Sequence, residues 1–168
     1  MAPDRLDAVV SRLPTSGRAL DVACGSGAQT VWAAQRGLRV DAIDISLVAV
    51  ERLARTAAGH GVGELIDVRT ADLDTGLPEE LAGPYDLVIV QRFRAPHLYP
   101  QLVERLAPGG VLVVSVLSEV GLDGEPGPFH AAAGELDRAF AGLDVETLLS
   151  QEADGLATVV LQRPDVPR

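Results

Sequence analysis

The sequence predicts a three-layer αβα fold, in which a mostly parallel sheet lies between helices and finishes in a C-terminal antiparallel hairpin. Short apolar runs alternate with stretches of about ten residues at helical spacing, the signature of parallel strands joined by right-handed helical crossovers. The first run, Ala19 to Ala23, stops at two closely spaced glycines, Gly25 and Gly27. The last two runs, Val145 to Leu149 and Thr158 to Leu161, face each other across Asp154-Gly155, a hairpin signal.

Each element follows in order. Leu6, Val9, Val10 and Leu13 recur at helical spacing before Pro14 to Gly17 break the pattern, so a short N-terminal helix is expected within residues 1–17. Strand one is Ala19 to Ala23. A helix over Ala28 to Arg36 ends at Gly37, and a buried strand over Arg39 to Ile43 leads into Asp44. Ser46 is placed to cap a helix over Leu47 to Ala58. Then come a strand at Ile66 to Thr70, a loop with Pro78 and Gly83, and a strand at Leu87 to Val90. A helix from Leu98 to Leu106 and the Pro108-Gly109-Gly110 turn lead into a strand at Val111 to Val116. Ser118 to Pro128 are rich in breakers and acids, a loop long enough to act as a lid, and a helix around Gly134 to Ala141 precedes the hairpin. Without repeats or linkers, residues 1–168 are expected to form a single domain with its core at 18–164.

Composition excludes several functions. A net charge of −10 with no basic run opposes a nucleic-acid partner. All fourteen basic residues are arginines, which removes Schiff-base lysines, pyridoxal phosphate attachment and the phosphate-binding lysine of P-loops. One cysteine, Cys24, and three histidines give no zinc spacing, so no metal is expected. With no signal-peptide core and no run of eighteen apolar residues, the expectation is a soluble, cytoplasmic protein without a membrane partner.

In an open parallel sheet the ligand crevice lies outside the carboxyl ends of the strands, and the chemistry-bearing residues fall there. Asp21 to Gly27 close strand one, Asp44 follows strand two, Asp72 follows strand three, and Gln91-Arg92 close strand four. Asp44 lies nineteen residues after Gly25, where a carboxylate accepts both hydroxyls of a ribose. Gly25 and Gly27 permit close backbone approach to a ligand. Asp21 either accepts from a ligand ammonium or holds the glycine turn, and Ser26 either caps the following helix or touches a ligand carboxylate. Cys24 reads as small apolar packing beneath the turn.

Four stretches, Leu20-Asp21-Val22-Ala23-Cys24-Gly25-Ser26-Gly27, Asp41 to Ser46, Tyr85 to Val90 and Leu106 to Gly110, resemble in order and spacing the class I S-adenosylmethionine (SAM)-dependent methyltransferases, whose sheet is Rossmann-like. The family often has Gly where this chain has Ala23. The segment from Pro128-Phe129-His130 to Gly134-Glu135-Leu136 is also similar to the tellurite-resistance and thiopurine branch. The resemblance implies SAM as cofactor, held by Asp21, Ala23, Gly25, Ser26, Gly27, Asp44, Ile45, Asp72, Leu73 and Gln91. Asp72 would accept from the adenine amino group, with Ile45 and Leu73 sandwiching the ring. It implies methyl transfer to an acceptor, expected here to be a small molecule. Gln91, Arg92, His97 and His130 are the candidates for catalysis or acceptor contact, with Arg94 as an alternative anion ligand. Phe93, Tyr99 and Phe129 are the aromatic candidates for lining the acceptor site. The short stretch before strand one leaves three arrangements open: a small substrate under the lid, a large one on an open face, or a site closed by a second subunit of a homodimer.

Two other readings compete. A nicotinamide dehydrogenase shares the first two glycines, but Thr30 stands where its third is wanted and a Tyr-x-x-x-Lys pair is impossible without lysine. A SAM-binding module without turnover, acting as a sensor or partner subunit, would keep the same acids.

Overall fold

The computed structural model describes residue 3 and residues 5–166. Seven strands form one sheet: β1 (Arg18–Val22), β2 (Arg39–Asp44), β3 (Ile66–Thr70), β4 (Tyr85–Gln91), β5 (Leu106–Leu117), β6 (Glu146–Ala153) and β7 (Leu156–Gln162). Their order is β3-β2-β1-β4-β5-β7-β6. The first five are parallel, and β7 runs antiparallel to both β5 and β6. The predicted architecture is the one observed.

Burial explains why the central strands read as continuous apolar runs. Both faces of a parallel sheet are covered, so every position of such a strand needs an apolar side chain. In β4, Val88 and Val90 pack on one side with Leu98, Leu102, Leu136 and Phe140. Leu87 and Ile89 pack on the other with Leu6, Val9, Ala33 and Leu38. The helices on the two sides are α1 (Ala28–Gln35) and α2 (Leu47–Gly59), and α3 (Tyr99–Glu104) and α4 (Glu135–Phe140). None of them is long and apolar enough to cross a membrane, among the described residues.

Several local expectations are corrected. The N-terminal helix is a series of turns ending in a 3-10 turn at Val10–Arg12, with residues 1, 2 and 4 of that stretch outside the described set. Its bonds join residues three apart, Val9 N to Leu6 O and Arg12 N to Val9 O, and this tighter period still buries Leu6, Val9 and Leu13. The helix expected at Leu98 to Leu106 starts as a 3-10 turn at Pro96–Leu98 and is helical only over Tyr99–Glu104. Pro108-Gly109-Gly110 lies inside β5 as an irregularity, because Gly109 donates to Arg163 O and Arg163 N donates to Gly110 O across the sheet. In the hairpin Ala153 pairs with Leu156, and Asp154 (φ 52°) and Gly155 (φ 75°) both take the left-handed conformation a two-residue turn requires. Ser46 Oγ accepts from Ala49 N at 3.2 Å, as its capping position predicted.

The α3–α4 layer packs on the sheet through a buried stacked pair, Tyr99 and Phe140, with ring centroids 4.6 Å apart. Phe140→Ala is expected to cost about 3–5 kcal/mol, read as a lower urea midpoint at unchanged slope.

Candidate functional site

The order of the sheet reverses between β1 and β4, so the loops leaving those two strands diverge and open a crevice at the carboxyl edge. The turn after β1 is fixed from two sides. From beneath, the buried Asp21 carboxylate accepts from the Thr30 hydroxyl at 2.5 Å, tying strand to helix. From the side, Asp44 Oδ2 accepts from Gly25 N at 2.9 Å while its Oδ1 accepts from Ser46 N at 2.9 Å. Asp44 therefore lies across the turn, with the buried Asp21 carboxylate beneath it.

The two glycines have different reasons to be glycine. Gly27 (φ 84°) begins α1, and a Cβ there would overlap the Leu53 side chain of α2. Gly25 (φ 54°) is the reverse case: a Cβ there would meet nothing of the protein and would stand in open space. Ser26 is exposed and makes no cap to α1, which corrects that expectation; Gly27 in the left-handed conformation occupies the N-cap position. Cys24 packs with Val31, Ala42 and Leu53, and burial pushes its thiol up to about 12, so it stays protonated and inert.

Beside the turn is a cavity of about 240 Å³ lined by Ala23, Asp44, Ile45, Asp72, Leu73, Asp74 and Phe93. It brings together Ala23, Asp44, Ile45, Asp72 and Leu73 of the predicted cofactor set and adds Phe93 and Asp74. Ala23 holds φ 55°, the conformation for which glycine is the usual residue. Asp72 Oδ1 accepts from Asp74 N at 3.0 Å, which rounds the loop at the rim.

The catalytic candidates disperse. Gln91 ends β4 in register with Ser115, and Arg92 turns the chain at φ 55°, its amide donating to Ser115 O at 2.8 Å. His97 places Nε2 2.9 Å from Leu73 O, bracing the loop that walls the cavity. His130 Nδ1 accepts from Gly127 N at 2.9 Å and closes its own loop. Neither histidine lines the cavity. Arg94 is committed to Glu135 through two bonds of 2.6 and 2.9 Å, which hold the Glu135 carboxyl below its ordinary value. Of the aromatic candidates, Phe93 lines the cavity, Tyr99 is core, and Phe129 is exposed on the loop.

A family model described as a methyltransferase domain matches residues 19–110. The chain belongs to the class I SAM-dependent methyltransferases, whose cofactor is S-adenosylmethionine. It is similar to a ribosomal protein L11 methyltransferase of Syntrophotalea carbinolica, 39% identical over 63% of this chain and 34% of the relative. It is likewise similar to a protein-L-isoaspartate O-methyltransferase of an Anaeromyxobacter species, 39% identical over 62% of this chain and 48% of the relative. The chain thus spans about a third to a half of these curated relatives. In fold it matches an S-adenosylmethionine-dependent methyltransferase from Mesorhizobium loti, with a TM-score of 0.71 at 20% identity, covering 93% of this chain and 96% of that one. The names of both curated relatives state protein acceptors. They overturn the expectation of a small-molecule acceptor and do not speak for a homodimer.

Thr30, which sequence reading noted only as a departure from the dinucleotide motif, is the partner of Asp21. The signal lay in its place, in the first turn of α1 and facing the strand end. Burial pushes the Asp21 carboxyl up to about 7, against the Thr30 bond and with added repulsion from Asp44. An acid with a raised folded-state value contributes stability that is full below about 3.8 and is lost as pH rises through about 7. Asp21→Asn keeps an oxygen for Thr30 without the charge. Its melting temperature should exceed that of the parent at about pH 8, with the gap closing toward about pH 4; a gap constant with pH would contradict the assignment. Gly27→Ala should unfold at markedly lower urea, whereas Gly25→Ala should lose only about 1–2 kcal/mol and show its main defect in cofactor titration.

Proposed function

We propose that the chain transfers a methyl group from SAM to a protein acceptor, with the crevice beside the glycine turn as the cofactor site. The observation that carries this is Asp44 lying across the Gly25 amide beside an apolar cavity, with open space where a Gly25 side chain would stand. These features fit the cofactor's chemistry. Its adenosine needs an apolar slot with a carboxylate at the ribose, and its ammonium and sulfonium carry positive charge that nearby carboxylates attract.

Asp44 would take the ribose hydroxyls. Ile45, 70% exposed at the rim, and Leu73 and Phe93 opposite would cover the adenine ring, with Asp72 near its amino group. Gly25 and Gly27 would leave room for the methionine portion, Ala23 would form the floor between the two halves, and Asp21 would supply negative charge from beneath. Ser26 and Gln91 sit at the two ends of this run, after β1 and at the end of β4. The cofactor supplies an electrophilic methyl group on a good leaving group, so the protein's part is mainly to align the acceptor and exclude water. The acceptor reading is supported by the two relatives named for protein acceptors.

Titration calorimetry with S-adenosylhomocysteine tests the site. Asp44→Ala removes two charge-assisted hydrogen bonds of roughly 1.5 kcal/mol or more each, so affinity should fall by about a hundredfold or more while circular dichroism stays native. Unchanged affinity would sink the assignment.

A further inference from the structure

A second cavity, of about 350 Å³, opens at the same carboxyl edge of the sheet and is lined by Arg5, Arg92, Leu117, Asp154, Gly155 and Leu156. It is separate from the cofactor crevice but joined to it through consecutive residues, since Arg92 lines this cavity and Phe93 the other. Three distant parts of the chain meet here. Arg92 leaves β4, Leu117 ends β5, and the Asp154-Gly155 turn comes from the C-terminal hairpin. Arg5 is carried in from the N-terminal segment, donating to Ala153 O at 2.7 Å and Leu156 O at 3.3 Å.

Backbone conformation marks the same place. Four non-glycine residues among those described have positive φ: Arg5, Ala23, Arg92 and Asp154. Ala23 lines the cofactor crevice, and the other three line this cavity. The hairpin turn accounts for Asp154, but no turn rule demands the left-handed conformation of an arginine, and such strain collects where a side chain is being aimed for function. The charge is also specific. Two arginines, Arg5 and Arg92, line the cavity with one acid, Asp154, which lies 3.6 Å from Arg5 and is 90% exposed.

On the reading that the crevice holds SAM, we propose that this cavity binds a carboxylate of the acceptor protein, with Arg5 and Arg92 as its ligands, and that the carboxylate oxygen is the atom methylated. Guanidinium forks match carboxylate geometry and still have donors to offer when some are used on backbone carbonyls. The chemistry balances without a base. A carboxylate oxygen forms the new bond to the methyl carbon, the carbon–sulfur bond breaks with its electron pair left on sulfur, and no proton moves. This agrees with a site in which both candidate histidines brace loops, on Leu73 O and on Gly127 N. An amine acceptor, by contrast, would arrive charged between two arginines and would have to lose a proton first.

The test uses the whole chain, tritium-labelled SAM and four peptides of one sequence carrying aspartate, isoaspartate, glutamate or lysine at a single position. Label on a carboxylate peptide that mild alkali releases as methanol is the expected result. KM for that peptide should rise by about tenfold or more in Arg92→Gln, with partial recovery in Arg92→Lys and unchanged S-adenosylhomocysteine affinity in both. Arg5→Gln should act in the same direction, and circular dichroism separates any loss of the hairpin anchor. Alkali-stable label on the lysine peptide, an Arg92→Gln KM equal to that of the parent, or no transfer to any carboxylate peptide while S-adenosylhomocysteine still binds would overturn the proposal. Failure of the unaltered chain to bind S-adenosylhomocysteine would instead overturn the cofactor reading and this proposal with it.

Discussion

Two carboxylates hold a turn that has almost no side chains of its own. Asp21 sits beneath it, 2% exposed and bonded to Thr30, and Asp44 lies across it, bonded to Gly25 N. A turn of Ala23-Cys24-Gly25-Ser26-Gly27 cannot define its own shape, because three of its residues take positive φ and its one hydroxyl points to no cap. The acids supply that definition, at a cost. An ionisable group in the interior is destabilising whenever it is charged, and here its neighbour is a second acid. Repulsion from Asp44 adds to burial in opposing the ionisation of Asp21, so the pair that shapes the turn also weakens the fold as the pH rises.

The sheet order turns this local arrangement into a site. With β4 beside β1 and β2 on the far side, the ends of all three strands lie along one edge, and register brings Asp21, Ala42 and Ile89 level across them. The antiparallel hairpin extends the edge. Because β7 runs against β5, its first residue pairs with the last of β5, Leu117 with Leu156, so the Asp154-Gly155 turn arrives on the side where the parallel strands end. A continued parallel strand would have placed its own start at the opposite edge.

Around the segment between β5 and α4, polar side chains mostly brace loops. Glu135 grips Arg94 and the Ala132 amide, Glu152 accepts from Ser118 Oγ and Gly134 N, and Glu119 accepts from Ala133 N. The segment after β5, expected as a lid, is thus fastened at its base: Ser118 bridges Ala131, while residues 123–129 between them are exposed. Phe129, 74% exposed, sits in that stretch.

What the sequence determined by itself were the features encoded over short range. Strand runs, the glycine turn, the Ser46 cap and the Asp154-Gly155 hairpin each depend on residues within a few positions of one another, and period and turn chemistry are legible at that range. The acids at the strand ends were legible for the same reason, since a parallel sheet fixes which end of each strand meets the crevice. Tertiary structure decided what depends on neighbours distant in the chain. His97 looks like a base in isolation and becomes a brace because Leu73 O is there to meet it; Arg94 looks like an anion ligand until Glu135, forty-one residues on, takes both of its bonds. Pro108-Gly109-Gly110 reads as a turn and is held in a strand by Arg163. Arg5 gave no signal at all, because only its bonds to the hairpin carry it to the cavity that Arg92 also lines, and no local pattern records a contact between residues about 150 positions apart.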